Sequence, residues 1–119
     1  MSYDIYLKDA STGETLMFDA PLDLRGGTFC MGGTKEAWLN VTWNYRPFFC
    51  EHIDPLNGIR ALYGKTGRNA IPILKGAIGI LGTDRDADYW KATPGNAGAA
   101  LADLLVLAEA FPDGIFDGD

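Results

Sequence analysis

Histidine and cysteine are scarce in this chain of 119 residues: His52 is the only histidine, and Cys30 and Cys50 are the only cysteines. Serine occurs only at Ser2 and Ser11. That inventory removes a Ser-His-Asp triad. It leaves zinc short of suitable ligands, and neither cysteine belongs to a C-x-x-C pair. Neighbours such as Cys50 and His52 rarely reach the geometry of a nucleophile and its base. No catalytic residue, cofactor or metal is therefore expected. Apolar runs are only a few residues long, which excludes a membrane span. No basic segment followed by an apolar one opens the chain, so no secretory signal is read. Two free thiols then place it in a reducing cytoplasm.

What is present suits a single globular domain over residues 1–119, with 47% apolar residues and 12% aromatics. The net charge is −6, and it is unevenly placed. Residues 1–83 carry eight acids and eight bases, whereas residues 84–119 carry eight acids and two bases. A basic stripe is missing, which argues against duplex nucleic acid as a partner.

The alternation in Tyr3-Asp4-Ile5-Tyr6-Leu7 predicts a first strand, and Thr15 to Phe18 predicts its hairpin partner. Ala20 to Leu24 reads as a loop. Thr28 to Met31 reads as a short strand, turned by Gly32-Gly33. Trp38 to Tyr45 is the clearest strand, with Leu39, Val41, Trp43 and Tyr45 on a core face and Trp38, Asn40, Thr42 and Asn44 on the other. Pro47 to Ile53 and Ile59 to Tyr63 predict short helical pieces. Asn69 is expected to cap a helix running to Leu81, with Gly76 and Gly79 serving close packing. Thr93-Pro94 opens a last helix, whose stripe is Ala97, Leu101, Leu104, Leu105 and Ala108. Ile115-Phe116 is expected to fold back, leaving Asp117 to Asp119 in solvent. Strands first and helices afterwards predict an α+β fold: an N-terminal antiparallel sheet of some four strands packed by C-terminal helices.

Gly64-Lys65-Thr66 misses the phosphate-loop pattern, because Ile59 stands where its first glycine belongs. A glycine loop with Lys65, Thr66 and Arg68 opening a helix still suits an anion. Asp84-x-Asp86-x-Asp88 resembles the start of a calcium loop, but Tyr89 and Gly95 occupy its glycine and glutamate positions. A solvated acidic turn is the better reading. The amide row Asn40, Thr42 and Asn44, if covered, requires hydrogen-bond partners that a polar ligand could supply. Asn96 lies in a second helix start. Arg25, Lys35, Arg46, Arg60, Lys65 and Arg68 could gather into a positive pocket inside an acidic protein.

Several segments resemble a family of small uncharacterised proteins of bacteria, phages and prophages. They are Met1 to Leu7, Arg25-Gly26-Gly27-Thr28, Leu39 to Tyr45, Gly58-Ile59-Arg60, Leu62 to Gly67, Asp88 to Ala97 and Pro112-Asp113-Gly114 with Asp117-Gly118-Asp119. The resemblance spans nearly the whole chain, and Trp43 and Phe116 depart from it. It implies an accessory binder, such as an anti-defence sponge for a nucleotide-like signal.

The expected function is a non-enzymatic cytoplasmic binding protein, a homo-oligomer, holding a small anionic or nucleotide-like ligand. Asn40, Asn44, Lys65, Thr66, Arg68 and Asn96 are its expected ligand-binding residues. The alternatives are an inhibitor that meets a host protein through its acidic C-terminal surface, and a small carboxylate-based hydrolase or transferase.

Overall fold

The computed structural model describes all residues except Arg25, Thr28, Phe29 and Cys30. The strand expected at Thr28 to Met31 and the roles considered for Arg25 and Cys30 thus lie outside the described residues.

Alternation builds the sheet. In β1, Ser2–Lys8, every second side chain (Tyr3, Ile5, Leu7) is fully buried. β1 is the central strand of a three-stranded sheet. It pairs antiparallel with β4, Trp38–Thr42, where Ile5 faces Leu39. On its other side it pairs antiparallel with β5, Ile115–Gly118, where Leu7 faces Phe116. β2, Met17–Leu22, and β3, Thr34–Glu36, form a separate antiparallel pair. The architecture is α+β, with the strands divided between two sheets and the last strand following the helices.

Three expectations about strands change. Among the described residues, the segment after β1 pairs with it as one isolated bridge, Lys8–Thr15, rather than as a hairpin strand, and the residues read as a loop from Ala20 form half of β2. β4 ends at Thr42, not at Tyr45, because its partner β1 begins at Ser2, opposite Thr42. The Thr42 hydroxyl then accepts from Asn44 N and starts a 3-10 turn, Trp43–Tyr45. Residues 117–119 are not loose: Lys8 Nζ lies 2.7 Å from Asp117 Oδ2, and Asp119 Oδ1 accepts from Asp4 N at 2.9 Å.

The helical part follows. α1, Arg46–His52, leads to a second 3-10 turn, Gly58–Leu62. α2, Gly67–Leu81, is capped by Thr66 rather than by Asn69, whose N–H donates to the Thr66 hydroxyl. The helix begins earlier because Gly67 N and Arg68 N find the carbonyls of Gly114 and Pro112, both at 2.9 Å. α3, Pro94–Ala110, starts at the expected Thr93 cap. Leu74 and Leu81 of α2 and Leu101, Leu104 and Leu107 of α3 join Tyr3, Ile5, Leu7, Leu39, Val41 and Phe116 in one core. Gly76 and Gly79 do not serve close packing, since a Cβ at either would meet nothing within 4 Å. Gly98 does: its Cβ would collide with the main-chain oxygen of Gly82. The radius of gyration is 13.1 Å, close to the ~13.5 Å of a compact chain of this length. Among the described residues, no helix is long and apolar enough to cross a membrane.

Candidate functional site

The six expected ligand residues separate into two groups. Asn40, Asn44 and Asn96 surround a strap, residues 82–93, that joins α2 to α3. Asn96 is buried and serves as its hub: Oδ1 accepts from Asp86 N at 2.8 Å, and Nδ2 donates to Asp88 O and Lys91 O at 3.0 and 2.9 Å. Asn44 Nδ2 donates to Trp90 O at 2.9 Å. Asn40, also buried, donates to Ser2 Oγ and Asp4 Oδ1. Its row on β4 is covered by Gly27, whose Cβ would touch Asn40 Oδ1 and the Trp90 ring, and by Tyr89, whose hydroxyl accepts from Thr42 N. Tyr45 donates its hydroxyl proton to Tyr89 O. Asn40 and Thr42 of the row are therefore covered, Asn44 beyond the strand's end is exposed, and the chain itself supplies partners.

Beneath the strap lies a cavity of about 10 Å³, bounded by Tyr45, Arg85, Asp86, Tyr89 and Asn96 together with Ala99 and Ala100. That is room for one water and no ligand. Nearby, Arg85 Nη2 sits 3.3 Å from Asp103 Oδ2. Burial pushes the Asp103 carboxyl up, and the guanidinium opposes it.

The second group is the loop into α2. Thr66 is occupied as the cap, and Arg68 pairs with Asp113 at 2.9 Å. The N–H groups of residues 67–70 all have acceptors within the chain. This helix start therefore offers its first turn to no anion. Lys65 is exposed, and among the described residues its ammonium enters no ion pair. The acidic turn is also occupied internally: Asp86 Oδ1 accepts from Asp88 N, and Asp88 Oδ1 from Trp90 N. Among the described residues, no group of three or more His, Cys, Asp or Glu side chains could hold a metal ion.

A different cluster is more open to a ligand. Trp43 stacks on Tyr3 with ring centroids 4.9 Å apart and an interplanar angle of 22°. Two guanidinium carbons stand over these rings: that of Arg46 is 5.0 Å from Trp43, and that of Arg60 is 5.1 Å from Trp43 and 5.2 Å from Tyr3. Arg46 Nη2 donates to Leu56 O, and Arg60 Nε to Asp119 O. Among the described residues, neither guanidinium has an Asp or Glu side chain at ion-pair distance. The chain carries a net negative charge, yet among the described residues these two fixed positive charges have no Asp or Glu side chain as ion-pair partner, Arg60 being held instead by the Asp119 main-chain oxygen.

Arg46 and Arg60 are two of the six bases read as a candidate pocket. Their aromatic partners were missed because Trp43 was assigned to the core face of a continuous strand. The strand's early end turns Trp43 and Arg46, three residues apart, onto one side of a tight helical turn. A Thr capping the turn before Arg-Pro was the available signal.

No family model matches the chain, and no match was found among curated proteins or solved structures.

Proposed function

We propose that this chain is a non-enzymatic binding protein that holds a small nucleotide-like anion against the Tyr3, Trp43, Arg46 and Arg60 cluster. One observation carries the reading: two guanidinium groups stand about 5 Å from one indole and have no Asp or Glu side chain at ion-pair distance among the described residues. Phosphate oxygens match the planar donor fork of arginine, and a flat ring tolerates a heterocycle at its exposed edge. The ligand is small, because Tyr3 is fully buried behind Trp43 and only Trp43, Arg46 and Arg60 reach the surface. The scarcity of histidine and serine supports binding over turnover. In this reading the chain acts as a cytoplasmic homo-oligomer, an accessory protein of a phage or prophage that sequesters a nucleotide-like signal. The resemblance described above supports that role.

Calorimetric titration with a nucleoside diphosphate, and separately with inorganic pyrophosphate, tests the reading. Arg46→Ala with Arg60→Ala is expected to weaken binding by at least about tenfold, the loss of charged hydrogen bonds. Arg46→Lys with Arg60→Lys keeps the charge and should fall between that variant and the parent. Lys65→Ala with Arg68→Ala should bind as the parent does. A folded parent that binds neither probe, or an arginine-free variant that binds equally well, overturns the proposal.

A further inference from the structure

A groove of about 270 Å³ lies at the far end of α3, between the turn after β1 and the approach to β5. Its floor is apolar, built from Leu16, Phe111 and Pro112, and Asp9 and Asp113 stand at its rim. We infer that this groove receives a lysine or arginine side chain from a basic segment of a partner protein.

Two carboxylates, Asp9 and Asp113, line it. Asp9 Oδ1 accepts from Ser11 N at 2.8 Å and Thr12 N at 3.0 Å, which fixes the carboxylate. Those bonds, the Thr12 one foremost, hold Asp9 below the usual carboxylate range, so it remains charged. Among the described residues, Asp9 has no cationic partner. Asp113 already accepts a guanidinium from Arg68, through an ion pair whose two side chains are 65% and 89% exposed. A pair that open contributes little stability, so an incoming cation can displace it.

The shape selects the occupant. The groove is smaller than the ~300–1,000 Å³ pockets that enclose small molecules. It suits one long side chain, whose methylene stem covers the apolar floor while its head reaches the rim. Glu109, exposed and next in sequence to the lining residue Ala110, and Glu14, exposed and bonded through its carbonyl to Asp9 N, add acidic residues beside the groove.

Fluorescence anisotropy with a labelled octapeptide carrying two arginines tests the inference, against the same peptide with norleucine at both places. The parent is expected to bind the arginine peptide at least about tenfold more tightly, with affinity falling as salt rises. Asp9→Asn with Asp113→Asn should abolish that preference, and the asparagine at position 9 can still accept from Ser11 and Thr12. Arg46→Ala with Arg60→Ala should leave it intact, which separates this groove from the anion site. Equal affinity for the two peptides, or an undiminished preference in the double asparagine variant, overturns the inference.

Discussion

Gly98 shows how much a single hydrogen can decide. A methyl group there would meet the main chain of Gly82, which cannot rotate away as a side chain can. Gly98→Ala is therefore expected to destabilise the protein by about 3 kcal/mol, the upper range for overfilling a packed site. Gly76 and Gly79 face open space on α2, so alanine at each should stabilise by about 0.5–1 kcal/mol through helix propensity alone. Urea unfolding of the three variants checks both signs. Gly98 on α3 looks no different in the sequence from Gly76 and Gly79 on α2, and close packing was assigned to the wrong helix. Spacing places a glycine on a helix face, but it does not say which face another backbone crosses. The amide row was legible in part: Asn40 and Thr42 on β4 need partners once covered, whereas Asn44 lies past the strand's end and is exposed. Sequence did not say that Asn40 finds its partners on β1 and that Asn44 reaches Trp90 in the strap.

The strap is held by polar anchors at both ends, and Asn96 is the one with the most bonds. Asn96→Ala leaves Asp86 N and the carbonyls of Asp88 and Lys91 without these partners. A loss of about 2 kcal/mol is expected, the scale for stranded buried polar groups. Trypsin should then cut sooner after Arg85 or Lys91, and the timed appearance of those fragments is the measurement. Helices were the most legible elements, since α2 and α3 announce themselves by apolar spacing and α3 also by Thr93 at its cap. The true cap of α2, Thr66, was passed over for Asn69 because Gly67 and Arg68 bond to carbonyls of residues 112 and 114, which local spacing cannot reveal. β4 was read too long for a related reason: its end is set by where β1 begins. Trp43 fell in that misread segment, so the two arginines of the cluster were named and its geometry was not.

At the scale of the molecule, acidic groups pull stability in opposite directions with pH. Asp117, paired with Lys8, and Asp9, bonded to turn N–H groups, titrate below the usual 3.8. Their stabilisation is present above that value and is lost as pH falls through their lower folded values. Asp103 titrates above 3.8, chiefly through burial. Its favourable contribution is present below 3.8 and is lost as pH rises through the higher folded value. Arg85 offsets that loss, so Arg85→Ala should destabilise the protein more at pH 7 than at pH 4, where Asp103 can take a proton. Unfolding free energies at those two pH values check the difference, and equal losses would contradict it. The position of β5 has a consequence of another kind, in the timing of synthesis. Leu7 waits for Phe116 across more than a hundred residues. At ribosomal speed that interval is about 5–20 s. Throughout it the central strand of the sheet has an unpaired edge, while the α2–α3 hairpin needs only its own local sequence. A nascent chain stalled before residue 115 would thus present a ready template for foreign strands.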